Sequence, residues 1–198
     1  MENLKRIASQ KRETKETSIE ITLNLDGKGE GACDSGIGFF DHMLLSFLRH
    51  GSFDLDVSAA GDLHVDGHHT VEDIGIVLGS CIKEALGDKA GIKRYGSMIL
   101  PMDDALVLCA VDLCGRPYFE YDAAFATERI GYLDTELIRE FFYAVSYSAG
   151  MNLHIKVLSG INSHHICEAM FKAFAYALRD AVLIDHDNKT VLSTKGSL

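Results

Sequence analysis

The sequence predicts an α+β fold built by internal duplication, in which each half is a sheet packed against helices. Three observations support this prediction. Matching segments recur in the same order along the 198 residues, alternating apolar segments precede helical patterns, and each half ends in a His-His-x-x-Glu motif. Recurrence in a fixed order indicates a repeat, and strands grouped with helices indicate a layered α+β unit. We therefore predict two repeat halves, residues 1–92 and 93–198, which form one compact unit.

The first elements of each half are predicted strands. A basic segment, Lys5–Ser9, is echoed 88 residues later by Lys93–Ser97. At the same shift, Ile19–Gly27 aligns with Val107–Gly115, and we interpret both as alternating apolar segments that end in a turn. This alternation is typical of a half-buried strand. The turn residues that end each segment predict a return strand after it.

A helix, a strand and a second helix complete each half. Phe39–Gly51 and Leu137–Gly150 carry apolar residues at helical spacing, whereas Phe53–Ala59 and Asn152–Leu158 are predicted strands. The last helix opens with the His-His-x-x-Glu motif, and the two motifs are 96 residues apart. The growth of the shift from 88 to 96 indicates loop insertions. Each half is thus predicted to run strand, strand, helix, strand, helix.

Composition and charge limit the classes of function. The net charge of −10 argues against nucleic acid or an anionic membrane as the main partner. No apolar run approaches the roughly 18–20 residues of a membrane helix, and Met1–Lys15 lacks the apolar stretch of a signal peptide. The five cysteines are odd in number and form no C-x-x-C pair, which indicates reduced, mostly buried thiols. We therefore expect a cytoplasmic protein.

The duplicated motif predicts metal binding. Its two copies are His68-His69-x-x-Glu72 and His164-His165-x-x-Glu168. A helix turns by roughly 100° per residue, so the first histidine and the glutamate of each copy share a face and can hold one ion. The second histidine points away and is free to serve another ion. If the halves meet around a pseudo-twofold axis, the reciprocal sites are His68, Glu72 and His165 in one, and His164, Glu168 and His69 in the other.

The donor types indicate the kind of metal. Imidazole and carboxylate groups without a nearby thiolate suit Mn, Fe or Zn and disfavour a closed, cysteine-rich zinc site. The earlier helix of each half offers a further donor, since His42 aligns with Glu140 at a shift of 98. A single buried histidine is more often a core residue than a ligand, and His42 beside Asp41 can also belong to a helix start. Two vicinal histidine pairs with a glutamate at the same offset are much harder to explain without a metal.

Longer motifs surround these candidate ligands. They are GIGFFDHML (36–44), DGHHTVEDI (66–74), CGRPY (114–118), SHHICEAMFKAFA (163–175) and STKG (193–196). In these motifs the chain resembles the imidazoleglycerol-phosphate dehydratase family of histidine biosynthesis, and the motifs extend over essentially its whole length. The resemblance implies a duplicated α+β fold (ribosomal protein S5 domain 2-like), a homo-oligomeric shell of twenty-four subunits with active sites at subunit interfaces, and two Mn²⁺ in each active site. It also implies a hydro-lyase that removes water from imidazole glycerol phosphate to give imidazole acetol phosphate.

Carried over by position, the resemblance implies three groups of site residues. The implied metal ligands are His42, His68, His69, Glu72, His164, His165 and Glu168, with Glu140 at a position that is commonly His in the family. The candidate general acid/base residues are Glu16, which is also expected at the substrate, and Asp103. The implied binders of the phosphorylated substrate are His50, Arg94, Arg116, Lys172, Ser193 and Lys195.

Two other functions fit part of this pattern. A two-metal phosphate-ester hydrolase would use a metal-bound hydroxide on the same ligands and would release inorganic phosphate. A metal-stapled assembly or storage shell needs no phosphate clamp, which leaves Arg94, Arg116 and Lys195 without a purpose. The sequence therefore favours the dehydratase, with the hydrolase as the alternative.

Overall fold

Two four-stranded sheets and four helices form most of the computed structural model, which describes residues 6–185, 187 and 190–196. The helices are α1 (Gly38–Gly51), α2 (His68–Leu86), α3 (Glu136–Ala149) and α4 (Ser163–Val182). The strands are β1 (Ile7–Glu13), β2 (Thr17–Asn24), β3 (Cys33–Asp34), β4 (Asp54–Gly61), β5 (Tyr95–Met102), β6 (Ala105–Asp112), β7 (Tyr118–Asp122), β8 (Arg129–Ile130), β9 (Leu133–Asp134) and β10 (Asn152–Ser159). Lys5, where the repeat match begins, lies outside the described residues, as do the outer ends of both predicted halves.

The two large sheets have the same topology, which confirms the predicted duplication. Their strand orders are β1-β2-β4-β3 and β5-β6-β10-β7. In each sheet an antiparallel hairpin is extended by a third antiparallel strand, and a short parallel strand completes the edge. The shift of 88 is visible in the register, since Arg12 pairs with Ile19 in the first hairpin and Leu100 pairs with Val107 in the second.

The predicted return strands after Asp26-Gly27 and Cys114-Gly115 are wrong. The two alternating segments, β2 and β6, form hairpins with the strands that precede them. On its other side, β2 pairs over its full length with β4, so no edge of β2 is left for a following strand. The chain crosses instead to the far edge, where β3 pairs in parallel with β4 and β7 with β10. Each half therefore has three strands of its large sheet before its first helix, and not two.

A small hairpin accounts for the growing shift between the halves. Cys33 in β3 and Tyr121 in β7 occupy equivalent positions 88 residues apart, whereas the first residues of α1 and α3 are 98 apart. The extra residues form the antiparallel β8–β9 hairpin. Its turn contains Gly131 with a φ of +60°, a conformation that glycine adopts without steric cost. The predicted insertion thus lies between β7 and α3.

The first helices exchange partners between the halves. α2 covers β1 and β2, and α4 covers β5 and β6, so the second helix of each half packs on its own sheet. In contrast, α1 packs on α4 and α3 packs on α2. Glycines on α2 permit the close approach of α3, because a Cβ at Gly75 would lie 2.8 Å from both the Cβ of Ala144 and the carbonyl oxygen of Phe141.

Aromatic side chains fill the junction between the halves. The rings of Phe40 on α1 and Phe141 on α3 have centroids 5.2 Å apart, and Phe141 stacks on Phe171 of α4 at the same distance. Phe47 of α1 stacks on Phe174 of α4 at 5.4 Å. All five rings are buried. Burial of each contributes roughly 1.5–3 kcal/mol, so the junction is a major part of one continuous core.

The buried residues also agree with the predicted state of the cysteines. Cys81, Cys109, Cys114 and Cys167 are buried and Cys33 is half-buried, and all five are free thiols. Burial raises the pKa of Cys33 to about 12, with further contributions from Asp41 and Asp56. None of the helices in the described ranges is long and apolar enough to cross a membrane.

Removal of one buried hydroxyl should stabilise the fold. Thr70 in the first turn of α2 is fully buried, and its hydroxyl has no hydrogen-bond partner within the described part of the chain. A buried, unpaired hydroxyl costs roughly 1–3 kcal/mol. We expect Thr70→Val, which keeps the shape of the side chain, to raise the unfolding temperature of the metal-free protein by about 2–4 °C, measured by calorimetry.

Ser146→Ala is the matched control for this substitution. The buried Ser146 hydroxyl lies 3.0 Å from the carbonyl oxygen of Tyr118 and 2.9 Å from that of Met151, so its loss should lower the unfolding temperature. A Thr70→Val protein that unfolds at the same temperature as the parent, or below it, would contradict the assignment of Thr70 as an unsatisfied group.

Candidate active site

The packing of α1 on α4 brings three of the predicted metal ligands together. His42 from α1 lies beside His164 and Glu168 from the start of α4, and one donor atom of each lies within 4.8 Å of the others. The Nε2 atom of His164 is 3.2 Å from Oε2 of Glu168, and Nε2 of His42 is 4.0 Å from the same oxygen. Adjacent ligands of an ion bound at about 2.1 Å lie about 3 Å apart, so these three side chains fit one divalent ion.

Glu168 is the charged centre of this group. Its side chain is buried, and its other oxygen, Oε1, lies 2.7 Å from Nζ of Lys172 one turn along α4. Burial raises the pKa of Glu168, but the hydrogen bond and charge of Lys172, together with His42 and His164, outweigh burial and hold the pKa below its ordinary value. Glu168 is therefore an ionised acceptor, as a metal ligand must be.

Local capping sets the position of each histidine pair. The side chain of Asn162 accepts hydrogen bonds from the backbone N–H groups of His164 and His165, at 2.9 and 3.3 Å. At the start of α2, Oδ1 of Asp66 accepts a hydrogen bond from the N–H of His68 at 2.8 Å. Such bonds satisfy donors in the first helical turn. Both motifs therefore begin their helices, as predicted.

The second histidine of the first motif faces two carboxylates. The Nδ1 atom of His69 lies 3.1 Å from Oδ2 of Asp62 and 3.8 Å from Oε2 of Glu16. The hydrogen bond that Asp62 accepts raises the pKa of His69. Partial desolvation lowers this pKa, and the charge of Glu16 raises it further. Glu16, the predicted acid/base residue, thus lies beside a predicted ligand, with 57% of its side chain exposed.

The second histidine of the other motif has a similar environment. The Nδ1 atom of His165 is 2.7 Å from Oδ1 of Asp104, and its Nε2 atom is 3.4 Å from Oδ2 of Asp103. Asp104 also accepts hydrogen bonds from the backbone N–H groups of Ile161 and Asn162, at 2.6 and 3.0 Å. These bonds and the contact with His165 hold the pKa of Asp104 well below its ordinary value.

Sequence reasoning missed two of these carboxylates. Asp104 occupies the hairpin position equivalent to Glu16, 88 residues later, so the repeat itself carried the signal for it. Asp62 follows β4 and has no acidic counterpart in the second half, where the residue 98 positions later is Gly160. No motif in the sequence marked Asp62 as a partner of His69.

The reciprocal arrangement is not assembled within one chain. Across the described ranges, the single group of three candidate ligands takes its third member, His42, from α1, whereas the reciprocal scheme required His69 from α2. α4, which carries one motif, packs on α1, whereas α2, which carries the other, packs on α3. Glu140, the counterpart of His42, lies on α3 beside α2, and its carboxylate pairs with Arg139 at 2.9 Å.

Four of the predicted substrate-binding residues line a single pocket of about 770 Å³. They are Arg94, Arg116, Ser193 and Lys195. The guanidinium of Arg94 is held in place, because Nε donates to Oδ1 of Asp112 at 2.7 Å and Nη1 donates to the carbonyl oxygen of Leu192 at 2.6 Å. The pocket is therefore basic in an otherwise acidic protein, and it can accept an anion.

The other two predicted substrate-binding residues lie nearer the metal-ligand group. Lys172 contacts Glu168, as described above, and Nδ1 of His50 lies 3.3 Å from the hydroxyl of Tyr176. Burial lowers the pKa of His50, and the positive charge of Lys172 lowers it further. A neutral His50 can donate or accept a hydrogen bond, according to its tautomer.

The chain is similar over its length to known proteins of one family. The family model for imidazoleglycerol-phosphate dehydratase matches residues 35–178. Relatives of that name from Lachnoclostridium phytofermentans and Acetivibrio thermocellus are 61% and 57% identical over 98% and 94% of this chain, and over 100% and 96% of their own lengths. Crystal structures of the enzymes from Staphylococcus aureus and Pyrococcus furiosus superpose with TM-scores of 0.82 and 0.83, at 39% and 38% identity.

These similarities are not confined to one motif or one half. The Staphylococcus aureus structure covers 90% of this chain and 99% of its own, and the Pyrococcus furiosus structure covers 96% and 100%. The match thus includes both sheets, the exchanged helices and both histidine motifs. The chain belongs to the imidazoleglycerol-phosphate dehydratase family.

Proposed function

We propose that this chain removes water from imidazole glycerol phosphate to give imidazole acetol phosphate, a hydro-lyase step of histidine biosynthesis. The observation that carries the proposal is the full-length similarity to relatives named for this activity, at 61% and 57% identity. The site is consistent with it, since candidate metal ligands, an exposed carboxylate and a basic pocket lie in one chain. The product forms when a C–H proton and a neighbouring hydroxyl leave as water and the resulting enol becomes a ketone.

The proposal includes two Mn²⁺ in each active site. The donor set supports it, because imidazole and carboxylate groups without thiolate suit Mn. His42, His164 and Glu168 have the spacing of ligands to one ion. Such ions, when bound, polarise an imidazole ring and stabilise the negative charge that develops on it. The proposed ligands are His42, His68, His69, Glu72, Glu140, His164, His165 and Glu168.

Glu16 is proposed to accept the C–H proton. Its carboxylate is exposed and lies 3.8 Å from His69, so a substrate held near that histidine is within its reach. Asp103 is the second candidate, because its carboxylate is 69% exposed and lies 3.4 Å from Nε2 of His165. Asp104 is less suited, since its carboxylate is already occupied by two backbone N–H groups and His165.

The basic pocket is proposed to hold the phosphate. Lys195 and Ser193 follow α4, and Arg94 lies at the start of the second sheet. The pocket therefore lies between the segment after α4 and this sheet. Asp112 neutralises Arg94 and orients it. The remaining positive charge for an anion therefore comes mainly from Arg116 and Lys195.

We further propose that subunits share ligands within a shell of twenty-four copies. The support is the separation of the two motifs within one chain. It is also the exposure of the histidines, since 52% of the His42 side chain, 46% of His164 and 37% of His69 are accessible. Ligands to a structural ion within one chain are usually covered, whereas these donors are open to a second copy.

The reaction class can be tested with the substrate itself. Mn-loaded protein incubated with imidazole glycerol phosphate should form a ketone whose enolised form absorbs in base, without release of inorganic phosphate. Release of phosphate in equal amount would support the two-metal hydrolase instead and would overturn the dehydratase.

Loss of the Glu16 carboxylate should stop the chemistry and spare binding. Because a positioned general base contributes about 10²–10⁴ in rate, we expect Glu16→Gln to lower kcat by that factor, with Mn content and substrate affinity nearly unchanged. Glu20→Gln, an equal change of charge at an exposed position on the neighbouring strand β2, should behave as the parent. Near-normal turnover of Glu16→Gln would remove it from the mechanism.

The metal content should depend on His42. After reconstitution with Mn and dialysis, we expect about two ions per chain, as the duplicated motif implies, and a clear loss of bound Mn in His42→Ala. His154→Ala, which removes an exposed histidine on β10 that belongs to neither motif, is the control and should retain the parent value. Equal Mn content in the two variants, measured by elemental analysis, would exclude His42 as a ligand.

A further inference from the structure

The turn that carries Glu16 is tied to the protein interior by a chain of hydrogen bonds. The hydroxyl oxygen of Thr14 lies 3.1 Å from the backbone nitrogen of Glu16 and 2.9 Å from that of Thr17. It also lies 3.1 Å from the hydroxyl of Thr17, which in turn lies 2.5 Å from Oδ2 of Asp73 on α2. Thr17 and Asp73 are only 4% and 6% exposed, so this series of hydrogen bonds ends at a buried carboxylate.

The direction of these hydrogen bonds follows from their chemistry. Nε of Arg12 donates to Oδ1 of Asp73 at 2.7 Å, and a carboxylate paired with a guanidinium only accepts. Thr17 therefore donates to Asp73. The Thr14 hydroxyl then donates to Thr17, whose hydroxyl oxygen lies 3.1 Å away and whose carbonyl oxygen lies 3.5 Å away. The lone pairs of the Thr14 hydroxyl are then left for the N–H groups of Glu16 and Thr17. The network thus satisfies both threonine hydroxyls and the N–H groups of Glu16 and Thr17.

The second half of the molecule has the same backbone without this network. At the equivalent positions it carries Leu100 for Arg12, Met102 for Thr14, Ala105 for Thr17 and Ala169 for Asp73. Leu100, Ala105 and Ala169 are buried, so at these positions apolar packing takes the place of the polar network. In the first half only the carboxylate of the Arg12–Asp73 pair is buried, since 43% of the Arg12 side chain is exposed, and apolar replacements of buried charges are often neutral or stabilising. The fold therefore does not account for the polar network in the first half.

The two hairpin turns also hold their carboxylates differently. Asp104 is fixed through its own carboxylate, by the N–H groups of Ile161 and Asn162 and by His165. Around Glu16 the backbone is fixed through Thr14, whereas the carboxylate is exposed and lies 3.8 Å from His69. A carboxylate held in the way of Asp104 suits a structural role. A carboxylate left exposed in the way of Glu16 suits a group that must stay free for a substrate.

We propose that Asp73, acting through Thr17 and Thr14, is a positioning residue that sets Glu16 relative to the histidine motif on α2. The proposal rests on the acid/base role of Glu16 proposed above. Asp73 follows Glu72 on the helix that carries His68 and His69, so the network joins the hairpin turn directly to the ligand-bearing helix. A displacement of 1 Å in a reacting group can cost about 10²-fold in rate.

Substitution of Thr17 tests this role in the Mn-loaded, assembled protein. Thr17→Val removes the hydroxyl at nearly constant shape and should lower kcat by about 10²-fold, with KM and Mn content little changed. Thr17→Ser keeps the hydroxyl and should restore most of the turnover. Asp73→Asn, which leaves Arg12 without its charged partner, is the second variant if Thr17→Val fails to assemble, and it should lower kcat in the same way.

The decisive readout is the coupling to Glu16. In the Glu16→Gln background, Thr17→Val or Asp73→Asn should cause no further loss of the residual kcat, since residues that act through one group are not additive. Normal kcat in Thr17→Val, a full further loss in the Glu16→Gln background, or a fall in Mn content that matches the fall in kcat would each overturn the positioning role. An active Glu16→Gln protein would overturn the acid/base assignment as well, so the two failures are distinguishable.

Discussion

The contact of each first helix with the second helix of the other half determines the geometry of the candidate site. α1 could have packed over its own sheet beside α2, but it lies on α4, while α3 lies on α2. The buried rings of Phe40, Phe141 and Phe171 occupy this junction and tie the helices together. Because of this exchange, His42 from the first half lies next to His164 and Glu168 from the second. A disturbance of the aromatic junction would therefore alter the ligand geometry as well as the stability.

Duplication gives two halves with similar backbones, and different side chains at equivalent positions give each half a different chemistry. The hairpin turns carry Glu16 in one half and Asp104 in the other, yet one carboxylate is exposed and the other is held by backbone N–H groups. His42 and Glu140 are equivalent on α1 and α3 but differ in donor type. Equal backbones with unequal side chains allow the two halves to contribute different groups to the proposed site.

Local periodicity in the sequence was sufficient to predict the four helices and the strands β2, β4, β6 and β10, and it was not sufficient to predict which strands pair. The predicted helix from Phe39 to Gly51 differs from α1 by one residue, and the predicted strand that begins at Asn152 begins there in β10. The return strands were wrong because alternation shows that a segment is a strand, and not which neighbour it pairs with. The helix exchange and the contact of Asp62 with His69 depend on distant segments, which no local pattern encodes. The repeat shift did encode Asp104, through its equivalence to Glu16.

The most direct test of this account is a crystal structure of the Mn-loaded, assembled protein with data collected at the Mn absorption edge. Anomalous difference peaks would locate the ions without reference to any expected ligand. The account predicts two peaks in each active site, one of them within about 2.2 Å of donor atoms of His164 and Glu168, with histidines of a second copy completing the coordination. A single peak, or peaks held entirely by side chains outside the two histidine motifs and His42, would contradict it.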